Sequence, residues 1–108
     1  MQFEQKITDL GFTLPNVAPP AGSYLPALTS GNLVFTAGQI PLVEGKLAAT
    51  GKVGSEISLE KAQELARICL LNGLAAVKSE IGDLQRIKRI VKLVGFVSSD
   101  PGFIKQPQ

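Results

Sequence analysis

The chain has 108 residues, of which 44% are hydrophobic, and its formal net charge is +2 at neutral pH. This length predicts one domain with a packed core, and so small a charge does not favour binding to nucleic acid or to membranes. The sequence has no histidine and one cysteine, Cys69, which excludes histidine-based acid–base chemistry, the usual histidine-rich metal sites and an intrachain disulfide. We therefore expect no metal ion and no cofactor.

The N-terminal residues predict a short helix followed by an extended arm. Phe3, Ile7 and Leu10 recur at helical spacing, which favours a helix over residues 2–10 that Gly11 stops. Residues 14–22 contain three prolines and favour an extended arm. The start of the chain lacks the apolar core of a secretory signal, and no apolar run approaches the roughly 20 residues of a membrane span. We therefore expect a cytoplasmic protein without a membrane partner.

Two apolar runs, residues 24–29 and 33–37, predict a β-hairpin closed by the turn Ser30-Gly31-Asn32. The second run breaks at the segment Gly38-Gln39-Ile40-Pro41. Gly38 lacks a Cβ, so a ligand or another backbone can approach closely there. Pro41 cannot donate a ladder hydrogen bond and ends central pairing. This strand end is a candidate rim of a ligand site.

A turn at residues 44–46 and a short strand and loop over 47–53 precede a long helix, predicted over 59–80. Ser58 is a suitable N-cap and Gly82 a suitable C-terminal cap. One face carries mostly small residues and is expected to lie close against a sheet. That face consists of Ala62, Leu65, Ala66, Cys69, Gly73, Ala76 and Val77. The cysteine on this face is expected to be a structural thiol, and Arg67 on the opposite side a surface residue.

Residues 87–97 predict a long strand whose second half, 93–97, is apolar on both faces. Such a strand must be covered on both sides, and one helix covers one face only. This pattern predicts oligomerisation. The start of the strand is basic, and it carries Arg86, Lys88, Arg89 and Lys92. This strip would suit RNA or a solvated strand start, and because no stacking aromatic interleaves with it we expect no nucleic-acid partner.

Five groups of residues resemble the RidA/YjgF family of small trimeric enamine/imine deaminases, also known as endoribonuclease L-PSP proteins. The matching residues are Gly22 and Tyr24, Gly31-Asn32-Leu33-Val34-Phe35, Gly38-Gln39-Ile40-Pro41, Gly82-Asp83-Leu84 and Arg89-Ile90-Val91-Lys92. The resemblance runs from about Leu14 to about Phe103, and it implies an α+β, chorismate-mutase-like fold in which a long helix packs on one face of a mixed sheet. The family unit continues further, so residues 1–108 are expected to form a single domain that is C-terminally incomplete relative to the family.

The resemblance also implies a function, which is hydrolysis of a reactive 2-imino or enamine acid to a 2-keto acid and ammonia. Its partners would be a small anionic imino or keto acid and two further copies of the chain, with the site between subunits. Tyr24 is the candidate catalytic residue, and Gly38, Gln39 and Ile40 are the candidate substrate-binding residues. The family's substrate-gripping arginine falls in the part of the family unit that follows the matching residues.

Two alternatives remain open. Ala37 stands where many family members have serine, so a hydroxyl that contacts the ligand is lost. Ser23 stands where the family often has proline before Tyr24, which loosens that turn. These departures favour a non-catalytic small-molecule-binding trimer of the same family as the second hypothesis. An RNA-acting, endoribonuclease-like protein that uses the basic strip is the third.

Overall fold

The computed structural model describes residues 2–17 and 23–108, and it shows an α+β chain as predicted. The elements in chain order are α1 (Gln2–Asp9), β1 (Ala27–Ser30), β2 (Leu33–Thr36), β3 (Leu42–Val43), β4 (Lys46–Leu47), α2 (Leu59–Ile81) and a short 3-10 turn (Leu84–Arg86). The later part of the expected arm, residues 18–22, lies outside the described residues. Among those residues, no helix combines the length and the apolar character needed to cross a membrane.

Helix α1 confirms the short N-terminal helix, and it packs beside the end of α2. Ile7 is buried, whereas Leu10 is exposed and follows the helix. The ammonium of Lys78 on α2 lies 2.8 Å from the Oε1 atom of Glu4. The backbone N–H of Phe3 donates to the side-chain oxygen of Gln85 at 3.1 Å. These contacts fix α1 to the C-terminal end of the long helix.

Strands β1 and β2 form the predicted antiparallel hairpin, with the register running from Ala27 opposite Thr36 to Ser30 opposite Leu33. Gly31 has a φ of +59°, the left-handed conformation that a tight hairpin turn requires. The hairpin packs on α2 through buried Ala27. Val34 is half-buried, and the larger apolar side chains Leu28, Leu33 and Phe35 are exposed.

A second, smaller hairpin joins β3 and β4, with Leu42 opposite Leu47 and Val43 opposite Lys46. The turn falls at Glu44 and Gly45, as predicted, and both residues have positive φ values, 52° and 81°. Two positive φ values in succession match the twist of a hairpin whose strands are joined by two residues. The strand expected within 47–53 is reduced to β4.

Helix α2 begins and ends at the predicted caps. The Ser58 hydroxyl accepts a hydrogen bond from the backbone N–H of Lys61 at 3.1 Å. Gly82, with a φ of 85°, donates its N–H to the Lys78 carbonyl at 2.7 Å. The most buried residues of the helix are Asn72, Ala75 and Ala76. The packed face is therefore rotated from the predicted one, since Ala66 is exposed and Asn72 is buried.

The predicted strand over residues 87–97 was wrong for this chain, because residues 87–98 form no strand in the structure. Its side chains are largely uncovered, with Leu93 78% and Phe96 94% exposed. It is held at its two ends, where the Ile87 N–H donates to the Leu84 carbonyl at 3.0 Å and the Val53 N–H donates to the Ser98 carbonyl at 2.9 Å. A strand exists only when a neighbour satisfies its backbone groups, and none of the described strands pairs with this segment.

Within residues 2–17 and 23–108, the sheet content therefore consists of two separate antiparallel hairpins. The parallel pairing expected of a mixed sheet is limited to isolated bridges from Val53 to Ile57 and to Ser99. The long helix lies on one side of the β1–β2 hairpin, as expected.

Candidate functional site

The candidate site is the open end of the β1–β2 hairpin, where the chain leaves β2. We call residues 38–42 the rim. The Leu42 N–H donates to the Ile40 carbonyl at 2.7 Å, which closes a three-residue turn centred on Pro41. The fixed φ of proline suits the centre of such a turn. The rim therefore leaves the hairpin in a defined direction.

The rim is open to solvent on the side away from α2. A Cβ placed on Gly38 would meet no atom within 4 Å, and the Ile40 side chain is 53% exposed. The Gln39 side chain is half-buried, and its amide nitrogen donates to the Ala37 carbonyl at 3.2 Å. Gly38 thus leaves free space for a ligand, and Ile40 offers it an apolar side chain. The Gln39 side chain lies between the rim and α2 and supports the rim from that side.

Tyr24 lies at the same end of the hairpin as the rim. The backbone N–H of Ala37 donates to the Pro26 carbonyl at 2.9 Å, which extends the β1–β2 pairing by one step. The chain therefore enters β1, after Tyr24, at the same end of the hairpin at which it leaves β2. Tyr24 is 48% exposed there. The structure therefore brings Tyr24 to the hairpin end that carries Gly38 and Gln39.

Helix α2 holds the rim through one buried polar residue. The Asn72 side-chain amide donates to the carbonyl of Leu42 at 3.0 Å and to that of Ile40 at 3.3 Å. The next residue, Gly73, faces Gln39, and a Cβ there would lie 3.7 Å from Cγ of Gln39. The sequence analysis missed Asn72. An available signal was an asparagine between apolar residues in mid-helix, where its side chain usually bonds to backbone.

The charges of the chain lie outside the rim, whose residues carry none. Within the predicted basic strip, Arg86 donates to the Ile81 carbonyl at 2.8 Å and so binds the end of α2. The other three cations of the strip, Lys88, Arg89 and Lys92, are exposed. The guanidinium of Arg67 lies 4.8 Å from the centre of the Phe12 ring, which assigns it a surface cation–π contact.

Cys69 is half-buried on α2, and it has the character of a structural thiol. Burial raises the pKa of its thiol above the ordinary value of 9.0, although a backbone hydrogen bond opposes part of the change. A thiol that stays protonated is a poor nucleophile and a poor metal ligand. Within the described ranges 2–17 and 23–108, no three acidic or cysteine side chains cluster as metal ligands would.

A second concavity, of about 470 Å³, lies between α1, residues 13–17 and the last turns of α2. It shares no residue with the rim. Its charged lining consists of Glu4 and Lys78, which are engaged with each other. The sequence analysis gave no sign of this concavity.

Residues 4–108 match the model of the family described as "YjgF/chorismate mutase-like, putative endoribonuclease". The chain therefore belongs to this family, and its α+β architecture is of the YjgF/chorismate-mutase-like kind.

Two solved structures and one curated protein are similar to the chain. The protein Atu1372 from Agrobacterium tumefaciens is 44% identical, with a TM-score of 0.85 over 96% of this chain and 62% of its own. A protein from Shewanella oneidensis MR-1, described as a putative endoribonuclease, is 34% identical, with a TM-score of 0.76 over 81% of this chain and 58% of its own. Protein TCP17 of Trypanosoma cruzi is 37% identical over 97 residues, which is 90% of this chain and 61% of TCP17. The chain thus spans about three fifths of the length of these relatives.

Proposed function

We propose that the chain is part of a hydrolytic deaminase that converts reactive 2-imino or enamine acids to 2-keto acids and ammonia. The observation that carries this proposal is the rim, an uncharged and solvent-open strand end that helix α2 holds in place at the end of the hairpin where the chain enters after Tyr24. A small planar substrate needs such a platform more than it needs a strong acid or base, because the barrier to imine hydrolysis is low.

The reaction needs one water and no redox partner. The water oxygen attacks the imine carbon, and the π electrons of the C=N bond move to nitrogen, which takes up a proton. In the resulting carbinolamine the hydroxyl proton is transferred to nitrogen, the C=O double bond of the ketone forms, and the C–N bond electrons leave with ammonia. The Tyr24 hydroxyl can both donate and accept a hydrogen bond, so it can orient the water or the departing nitrogen.

The substrate carboxylate requires a countercharge that the rim does not supply. An anion bound to an uncharged, partly apolar surface loses hydration, and no charged or hydrogen-bonding group compensates for that loss. An arginine fork suits a carboxylate best, because it donates two parallel hydrogen bonds. We propose that the countercharge is the substrate-gripping arginine of the family. The resemblance places that arginine in the part of the family unit that follows the matching residues.

The same proposal includes a trimer with the site between subunits. The exposed face of the β1–β2 hairpin and the uncovered segment 90–97 are both apolar. Large apolar side chains that are exposed in such groups are typical of surfaces that a partner covers. A neighbouring copy lying against the hairpin would enclose Tyr24 and the rim and shield them from bulk solvent, which leaves room for the one water that the reaction consumes.

The binding-module alternative keeps the same assembly and site but lacks turnover, and Ala37 favours it. The RNA alternative receives less support from the described contacts. Arg86, the first cation of the basic strip, is engaged with the Ile81 carbonyl rather than free for a phosphate.

The deciding experiment supplies the native protein with a 2-imino acid generated in place by an amino-acid oxidase, with catalase added. Loss of the imine is followed by trapping with semicarbazide and by ammonia release. The proposal expects faster ammonia release than in the protein-free reaction, and inactivity of Gly38→Phe, which fills the open side of the rim. A native trimer that binds keto acids without accelerating the reaction would establish the binding module instead. Cleavage of single-stranded RNA by the same preparation would establish the third hypothesis.

A further inference from the structure

We infer that Asn72 is the positioning residue of the site, a side chain that fixes the rim from beneath without touching substrate. This inference rests on the proposed function for its catalytic consequence, but its structural part is independent of it. The side chain lies on α2, which is the wall behind the rim, and it is only 7% exposed.

The hydrogen bonds of Asn72 fall on the two ends of the turn that shapes the rim. Its single amide nitrogen donates to the carbonyls of both Ile40 and Leu42, which flank Pro41. The Ile40 carbonyl also accepts the Leu42 N–H at 2.7 Å, and the Pro41 carbonyl accepts the Ala48 N–H at 2.9 Å. The carbonyls of Ile40, Pro41 and Leu42 are therefore all held by hydrogen bonds, and the Asn72 side chain holds the first and the third.

A core role alone does not account for this residue. Its neighbours on the buried face of α2, Ala75 and Ala76, are small and apolar. Burying a polar amide among them is costly unless its hydrogen bonds are satisfied. The partners that satisfy it, the carbonyls of Ile40 and Leu42, both belong to the five residues that carry the candidate site. Asparagine at this position therefore sets the geometry of the rim rather than filling space.

Gly73 completes the arrangement. A side chain larger than that of alanine would press on Gln39, since a Cβ at position 73 would already be in van der Waals contact, 3.7 Å from Cγ of Gln39. One turn of α2 thus supports the rim in two ways. The Asn72 amide bonds to its carbonyls, and the absence of a side chain at Gly73 lets Gln39 pack against the helix. Loss of the Asn72 amide frees the Ile40 and Leu42 carbonyls, and the rim then moves relative to Tyr24.

The test compares Asn72→Leu, which keeps the branching at Cγ and removes the donor, with Ala76→Gly as the matched control. Ala76 is buried on the same helix and makes no side-chain hydrogen bond to the rim, and glycine there destabilises through lower helix propensity and the loss of one buried methyl group. The readouts are hydrogen exchange at the Leu42 and Ala48 amides, which report the rim turn, and the kcat and KM of imine hydrolysis. Asn72→Gln, which keeps an amide donor, is the conservative variant. If Asn72→Leu does not fold, Asn72→Ser takes its place.

The expected result is at least tenfold faster exchange at Leu42 and Ala48 in Asn72→Leu than in Ala76→Gly, partial recovery in Asn72→Gln, and a tenfold loss of kcat/KM that is mainly a rise in KM. Equal exchange in Asn72→Leu and the control overturns the inference. The inference is also overturned if the unsubstituted protein is an active deaminase and Asn72→Leu exchanges the two amides faster but has the same kcat/KM as Ala76→Gly. If the unsubstituted protein shows no deaminase activity, the proposed function fails, while exchange at the two amides still decides whether Asn72 positions the rim.

Discussion

The carboxylate of Glu80 receives two hydrogen bonds from Thr29, one from the backbone N–H at 3.1 Å and one from the hydroxyl at 2.9 Å. Both end on the same oxygen, Oε1, although the two residues are 51 positions apart in the sequence. Thr29 is near the turn of the β1–β2 hairpin, and Glu80 is in the last turn of α2. This pair ties the closed end of the hairpin to the helix, while Asn72 ties the chain that leaves its open end.

Replacing Glu80 with alanine should lower the free energy of unfolding by about 1 kcal/mol, because a backbone donor and a hydroxyl donor lose a charged acceptor at a solvent-exposed site. Glu80→Gln should cost less, since the amide oxygen still accepts. Glu64→Ala is the matched control, because its ion pair with Lys61 at 3.4 Å is exposed and its removal should cost about 0.5 kcal/mol or less. Urea unfolding of the three variants measures these changes in the free energy of unfolding. Equal losses for Glu80→Ala and Glu64→Ala would contradict the anchoring.

Gly73 should accept alanine and reject leucine. The contact with Gln39 leaves room for a Cβ, so Gly73→Ala should be neutral or stabilising by up to about 1 kcal/mol through helix propensity. Gly73→Leu should destabilise by about 1–3 kcal/mol, because the larger side chain displaces Gln39 and the rim. Thermal unfolding compares the two. If leucine leaves the melting temperature unchanged, the helix face that carries Gly73 is not packed against the rim.

The limits of α2 were predictable because the capping signals are local. Ser58 and Gly82 act within one turn of their own position, and the helix ends one residue beyond the predicted limit, at Ile81. The hairpin turn was predictable for the same reason, since Gly31 needs only its own backbone freedom. The rotation of α2 was not predictable, because the apolar pattern gives no reason to bury Asn72. Its burial depends on where the carbonyls of Ile40 and Leu42 arrive.

The segment 87–97 shows why pattern alone does not make a strand. Its apolar residues predicted a strand, but pairing depends on a neighbour that the pattern does not specify. The candidate site was predictable in part for a similar reason. Gly38 and Pro41 interrupt a strand visibly, so the rim could be located, whereas the contact between Gln39 and Gly73 required the packing of α2.

The stability of the chain should fall above pH 9 through Cys69. Burial raises the pKa of this thiol in the folded state above its ordinary value of 9.0. The folded state therefore holds the proton more tightly than the unfolded state, so the stabilisation is complete below pH 9 and is lost as the pH rises through the folded-state pKa. Cys69→Ala lacks this loss. Unfolding free energies of both proteins between pH 8 and pH 10.5 measure it, and parallel curves would show that the thiol is not desolvated.

The native protein should be a trimer, and the segment 90–97 should contribute to its assembly. Leu93 is 78% exposed in the single chain, so Leu93→Glu should leave the fold intact and weaken association. Leu10→Glu is the matched control, because Leu10 is 67% exposed but lies after α1, outside the segment. Light scattering coupled to size exclusion measures the number of subunits. A stable monomer of the unsubstituted protein, or dissociation by both variants alike, would contradict this assignment.

Tyr24→Phe should separate a catalytic hydroxyl from a merely apolar ring. The substitution keeps the ring and its packing, and it removes only the group that can orient water or the departing nitrogen. If the hydroxyl acts in the transition state, kcat should fall about tenfold, equivalent to about 1.4 kcal/mol, with little change in KM. Leu25→Val, which alters the neighbouring exposed side chain, should leave both constants near those of the unsubstituted enzyme. A rise in KM at constant kcat would instead make Tyr24 a binding residue, because uniform binding of substrate and transition state changes KM alone. Unchanged constants would remove Tyr24 from the site and leave the rim, held by α2, to act with groups from a neighbouring subunit.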